Sequence, residues 1–239
     1  MGNKEITAVI LTGGLGTRLR PYTLSMPKPM LPLGDKPILE HIIEWLKQNS
    51  IKKIIISLGY MGRIIEEYFQ DGKELDVEIK YVKTRKPMGT AGQLKAVEEL
   101  LKDTFLCVYG DAIIDCDINE ILKEHYKNNA TVSISLIKYK ESLKYGFIET
   151  NNKNRVLNWN EKPEYSGLIN IGCYIMEPKF LQYIPKKTVY GMDNAVKNAI
   201  EAKDKIYGNI INSNFIDIGD KESYDNIYEK YLSELGKIG

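Results

Sequence analysis

Ile6-Thr-Ala-Val-Ile-Leu11-Thr-Gly-Gly-Leu-Gly16-Thr-Arg-Leu-Arg-Pro21 is a short apolar run that breaks abruptly into glycine. Its first six residues read as a buried strand, being rich in Ile, Val and Leu and too few for a helix. Gly13, Gly14 and Gly16 then place three glycines in four positions. Such a turn can bring bare backbone N–H groups against a phosphate, and Arg18 and Arg20 can add charge-assisted hydrogen bonds to its oxygens. Spacing excludes two common nucleotide loops. A dinucleotide-binding Gly-x-Gly-x-x-Gly begun at Gly14 needs glycine where Leu19 stands; a P-loop begun at Gly13 needs Gly-Lys where Arg18-Leu19 stand. A bare Gly-Gly-x-Gly also suits an ordinary tight turn. Thr17-Arg18 and the downstream Lys28-Pro29-Met30 weigh against that reading.

Outward from this strand, short apolar runs alternate with helical patterns. A helix is expected over 38–49, with Ile38, Ile42, Trp45 and Leu46 on one face and Asp35 as its cap. Strands follow at 53–58, 77–82 and 105–109. The helices between and after them fall at 61–69, 90–101 and 118–128. Thr90 and Gln93 have the capping-box spacing, and Asp117 with Glu120 marks the start of the last helix. This rhythm predicts an α/β fold, a doubly wound Rossmann-like sheet in three α/β/α layers, with ligands at the carboxyl ends of its strands. After residue 130 the pattern is mixed: strands at 130–138, 146–150, 156–159, 168–176, 206–211 and 215–218, and helices at 193–202 and 221–235. The polar turn Asn151–Asn154 joins two of these strands, and Asp220 caps the last helix. With no repeat or long linker, residues 1–239 read as one domain.

Composition narrows the class without naming an activity. The 33 basic and 32 acidic residues leave a net charge of +1, which argues against a strong electrostatic grip on nucleic acid or anionic membrane. No apolar run approaches the roughly 18 residues of a membrane span, and the polar stretch 1–5 lacks a signal-peptide pattern; a cytoplasmic location is expected. Cys107, Cys116 and Cys173 have no CxxC spacing and read as buried free thiols. Homo-oligomers, dimers first, are expected on base rate alone.

Gly13-Gly-Leu-Gly-Thr-Arg-Leu19 followed by Pro27-Lys-Pro-Met30 resembles the signature of the sugar-1-phosphate nucleotidyltransferases, the nucleotide-sugar pyrophosphorylases. The resemblance continues in family order through Gly89, Gly110-Asp111, Glu161-Lys-Pro163, Asn170-Ile-Gly172 and Asp217, and so spans nearly the whole chain. It implies a nucleotide-binding part over about 1–130 and a sugar-phosphate-binding part over about 131–239. It also implies that Leu11, Gly13, Gly14, Gly16, Thr17 and Arg18 hold the nucleotide with Gly89, Gln93 and Asp111. Thr84 and Arg85 are weaker candidates for the base, because many relatives are acidic where Thr84 stands. Arg18 would face the leaving pyrophosphate, and Lys28 the phosphate under attack. Asp111 and Asp217 would bind Mg2+, two carboxylates sufficing for an ion that also takes phosphate oxygens and water. Gly146, Glu161, Lys162, Asn170 and Gly172 would bind the sugar phosphate, with Lys162 on its phosphate. Arg18, Lys28, Asp111 and Lys162 are the implied catalytic set.

The implied reaction joins a nucleoside triphosphate to a sugar 1-phosphate, giving an NDP-sugar and pyrophosphate. GTP with mannose 1-phosphate, or UTP or dTTP with glucose 1-phosphate, are the favoured pairs. Two departures stand in the second metal motif: Phe215 replaces a frequent tryptophan, and Asp220 a common threonine. Tyr190–Asp193 fits the family poorly and supports no role. The chain leaves no room for the hexapeptide β-helix that many relatives carry, so no acyl transfer is expected. A non-catalytic NDP-sugar-binding homologue is the alternative; it would be marked by loss of Arg18, Lys28 or an aspartate, and all are present. A glycosyltransferase would show an Asp-x-Asp metal motif. Asp115-Cys-Asp117 has that form but reads better as a helix start.

Overall fold

The computed structural model describes residues 6–84 and 86–235. The first half contains β1 (Thr7–Leu11), β2 (Pro32–Leu33), β3 (Lys36–Pro37), α1 (Ile38–Gln48), β4 (Lys53–Leu58), α2 (Gly62–Phe69), β5 (Glu78–Lys83), α3 (Gly89–Ala96), β6 (Phe105–Tyr109), β7 (Ala112–Asp115) and α4 (Ile118–Lys127). The second half contains β8 (Val132–Ser142), β9 (Phe147–Thr150), β10 (Val156–Asn160), β11 (Glu164–Met176), α5 (Met192–Glu201), β12 (Ile206–Ile210), β13 (Asn214–Asp217) and α6 (Lys221–Leu235).

Seven strands form the central sheet in the order β12-β8-β11-β6-β1-β4-β5. β1 pairs in parallel with both β4 and β6, β4 with β5, and β12 with β8; only β11 runs against its neighbours. The expected mixed, doubly wound sheet is present. Its three layers follow from alternation of side chains along each strand. Ala8, Ile10, Leu106 and Val108 enter one core with α1, α2, α4 and Tyr224 of α6. Val9, Leu11, Phe105 and Cys107 enter another with α3, α5 and Phe180. A central strand covered on both faces has no polar side, which is why 6–11 and 53–58 read as unbroken apolar runs.

The chain leaves β1 outward to β4 and β5, then returns to place β6 on the other side of β1. A crevice opens at such a reversal, outside the carboxyl ends of the two strands. Here it is flanked by the glycine loop after β1 and by Gly110-Asp111 after β6. The Gly110 N–H donates to the Leu11 carbonyl at 3.0 Å, tying these two exits together.

Several local expectations differ from the structure. Asp35 does not cap α1: it lies between β2 and β3, and the residue before the helix is Pro37, with no side-chain cap. The Thr90–Gln93 capping box does not form either, because both side chains bind elsewhere. The helix expected over 90–101 is α3 followed by a 3-10 turn, Glu98–Leu100. Asp117 does cap α4, accepting from the Asn119 N–H at 2.8 Å, and Asp220 accepts from the Ser223 N–H at 2.9 Å at the start of α6.

Candidate active site

The glycine loop departs from the expected row of bare donors at its first member. The Gly13 N–H donates to Gln93 Oε1 at 2.7 Å, while Gln93 Nε2 donates to the Gly89 carbonyl at 3.3 Å. A Cβ on Gly13 would lie 2.5 Å from that same oxygen, so glycine is required here for close approach of α3. Gly14 faces open space. Gly16 lies at φ 61°, in the left-handed region, with Thr23 Oγ1 donating to its carbonyl at 2.7 Å. Thr12 anchors the loop from below, its hydroxyl donating to the Ser57 carbonyl at 2.8 Å. Nothing in the sequence pattern singled out Thr12 or Thr23. Arg18 sits in a 3-10 turn, Thr17–Leu19, exposed and, among the described residues, in no ion pair.

Lys28 opens a later 3-10 turn, Lys28–Met30, and is only 8% exposed. A buried ammonium requires a partner, and Lys28 Nζ has one at 2.8 Å in Asp111 Oδ2. Asp111 follows β6, and β7 starts at the next residue; β7 went unread because it trails the Gly-Asp turn directly. β13 pairs antiparallel with β7, placing Asp217 opposite Ala112 and so beside Asp111. Burial pushes the Asp217 carboxyl above the ordinary carboxylate range; Lys28 opposes this, Asp111 adds to it, and Arg18 opposes it. Arg18, Lys28, Asp111 and Asp217 thus share one electrostatic neighbourhood at the sheet reversal. Two adjacent carboxylates supply hard oxygen donors in the number Mg2+ takes when phosphate and water complete its shell. The donor set fits such an ion, which Asp111 and Asp217 would hold. Among the described residues no group of three or more His, Cys, Asp or Glu gathers for a metal.

The sequence candidates of the second half fall into two groups. Gly172 packs against Tyr109, the last residue of β6, and Asn170 bonds Tyr174 beside it. Gly172 lies at φ 74°, and a Cβ there would meet the Tyr109 ring at 2.5 Å. Asn170 donates to the Tyr174 hydroxyl, its Oδ1 accepts from the Gly172 N–H at 3.0 Å, and the Tyr109 and Tyr174 hydroxyls are 3.0 Å apart. Much of the Asn170 amide is therefore committed to the protein. Gly146, Glu161 and Lys162 form the other group, where β10 turns into β11. Among the described residues neither Glu161 nor Lys162 is in an ion pair, and no contact joins them to the Lys28–Asp111 pair. β11 connects the two groups.

Tyr190, to which sequence reading assigned no role, pairs with the loop at the start of α3. Its N–H donates to Met88 O at 2.8 Å and its carbonyl accepts from the Gly92 N–H at 3.1 Å. Gly89 sits under it at φ 69°, where a Cβ would be 2.5 Å from Tyr190 O. Thr84 donates to the Leu58 carbonyl at 3.0 Å and lines a cleft of about 490 Å3 with Gly59 and Arg63. Arg85 lies outside the described residues, as does the stretch 1–5. Both histidines are structural: His41 binds the Leu33 carbonyl, and His125 is buried between Ser133 and Glu177.

Residues 7–234 match the family model described as nucleotidyl transferase. The chain belongs to the nucleotidyl transferase family. It is 34% identical over 94% of its length to a mannose-1-phosphate guanylyltransferase of Mycobacterium tuberculosis. It is 32% identical over 91% of its length to a UTP–glucose-1-phosphate uridylyltransferase of Synechocystis. The chain spans 64% and 61% of those two proteins. Of solved structures, HddC from Yersinia pseudotuberculosis complexed with GMP-PN matches 95% of this chain and 99% of its own, with a TM-score of 0.75 at 25% identity. As a nucleotidyl transferase family member the chain has the doubly wound sheet its sequence led one to expect. No described helix is long and apolar enough to cross a membrane.

Proposed function

We propose that this protein transfers a nucleotidyl group from a nucleoside triphosphate to a sugar 1-phosphate, releasing pyrophosphate. The observation that carries this is the ion pair between the buried Lys28 and the half-exposed Asp111 at 2.8 Å, with Asp217 and Arg18 in its field, at the mouth of a glycine loop. A phosphate oxygen of the sugar 1-phosphate attacks the α-phosphorus in line; the bond from that phosphorus to the bridging oxygen breaks, and pyrophosphate leaves with the electron pair. A phosphate monoester has its second pKa near ~6, so the nucleophile is already ionised at neutral pH and no general base is needed. That agrees with two histidines engaged elsewhere. The glycine loop orients the phosphates. Arg18 neutralises charge on the departing pyrophosphate, Lys28 on the oxygens of the phosphate under attack, and Lys162 holds the sugar phosphate. Mg2+ held by Asp111 and Asp217 supplies Lewis-acid neutralisation of phosphate charge when bound.

The names of the relatives support GTP with mannose 1-phosphate and UTP, or the related dTTP, with glucose 1-phosphate. The test crosses GTP, UTP and dTTP with mannose and glucose 1-phosphates in the presence of Mg2+, and measures pyrophosphate. One of these pairs is expected to release it, in a manner requiring both substrates. Release with none of the six combinations would remove these pairs and favour a protein that binds an NDP-sugar without making it.

A further inference from the structure

Trp159, on β10, is one of two tryptophans in the chain, and it leaves 64% of its surface in water. So large an exposed ring is unusual, since tryptophan is on average well buried. Its indole nitrogen is not free: Nε1 donates to Glu161 Oε2 at 2.9 Å. Gly146 closes over both groups, where a Cβ would stand 2.6 Å from Glu161 Oε2 and 2.7 Å from Trp159 Nε1. A larger residue at 146 would force these side-chain ends to shift. Lys162 follows at φ 47°, a backbone region that lysine seldom enters and that marks a constrained turn. Three side chains of different chemistry thus stand within four positions: an apolar ring face, a carboxylate held by one oxygen with the other open, and a cation.

We infer that Trp159 is a positioning and specificity residue for the sugar half of the substrate, acting through the Glu161 carboxylate that the family resemblance already assigns to the sugar phosphate. The indole N–H holds the Glu161 carboxylate in one orientation, leaving an oxygen to accept from sugar hydroxyls. The exposed ring offers a platform to the apolar C–H face of the sugar, in the manner of binding sites that pair aromatic walls with a few fixed polar groups. Lys162 supplies the charge for the phosphate. This rests on the nucleotidyl transfer proposed above and adds the group that discriminates the sugar from a bare phosphate.

The test uses tryptophan emission and steady-state kinetics together. Trp159→Phe keeps an aromatic face, removes the N–H donor and leaves Trp45 as the only tryptophan, so its emission is the blank. Wild-type emission is titrated with mannose 1-phosphate, glucose 1-phosphate and inorganic phosphate. The sugar 1-phosphate that wild-type protein turns over should change the Trp159 signal, and inorganic phosphate should not. Losing a hydrogen bond to a charged group should raise the KM for that sugar 1-phosphate about tenfold in Trp159→Phe, with kcat within about twofold. Trp159→Leu, without ring or donor, should raise it further. An unchanged KM in both variants, or an equal response to inorganic phosphate, would overturn the inference while wild-type turnover left the proposed reaction standing. Absence of turnover in the wild type would instead remove both.

Discussion

Two glycines separate backbone geometry from ligand contact. Gly89 is at φ 69° with a carbonyl oxygen 2.5 Å from where a Cβ would sit. Alanine there must adopt a left-handed backbone and displace the 190 segment, at a cost of about 1–3 kcal/mol. Gly14 has nothing within 4 Å of its Cβ position, so alanine should be accommodated in the free protein. Gly89→Ala is expected to lower the urea midpoint clearly and Gly14→Ala hardly at all. If the loop holds phosphates, Gly14→Ala should nevertheless raise the KM for the nucleoside triphosphate. Equal stability of the two variants would contradict the strain assigned to Gly89. The tight turn that places Gly16 in the left-handed region was legible from the spacing of the three glycines. The identity of the group that meets the Gly13 N–H was not, because Gln93 is 80 residues away in sequence and was read as a helix cap.

At the level of elements, Asp204 joins three parts of the second half. It accepts from Thr131 just before β8, from the Lys205 N–H just before β12 at 2.9 Å, and from Lys179 and Tyr183 in the 3-10 segment Pro178–Tyr183, each at 3.2 Å. Burial alone would raise its carboxyl, but these donors outweigh burial and hold it at about 2, against an ordinary 3.8. The folded value lies below the unfolded one, so this stabilisation is complete above pH 3.8 and is lost as the pH falls through about 2. Screening at a partly exposed site reduces its worth to about 1–2 kcal/mol. Asp204→Asn should lower the urea midpoint at pH 7 and flatten the fall in stability between pH 4 and pH 2. An unchanged midpoint at pH 7 would show that these contacts contribute nothing. Strands with an apolar face in two cores, such as β1, β4 and β6, were legible to within a residue. β11 was read only over 168–176, the stretch that runs into its buried end at 171–176, because Glu164–Gly167 are exposed and carry no core signal; pairing with β8 holds them as strand.

Across the whole molecule, the reversal of strand order at β1 collects residues from opposite ends of the sequence. Arg18 and Lys28 arrive on the loop after β1, Asp111 after β6, and Asp217 on the short β13 that reads against β7. Alternation of strand and helix was enough to predict a crevice there, since parallel strands point their exits to one edge. The Lys28–Asp111 contact itself could not come from pattern, because side chains 83 residues apart leave no local trace. Family resemblance assigned each residue to the site, but not this contact. The most direct test measures pyrophosphate release, with the pair the wild type prefers, in Arg18→Ala, Lys28→Ala, Asp111→Asn and Asp217→Asn beside the wild type. If these residues act at one centre, each variant should lose about a hundredfold or more in turnover while keeping the wild-type circular dichroism spectrum. Wild-type turnover in Lys28→Ala, Asp111→Asn or Asp217→Asn would contradict a single site built on that pair.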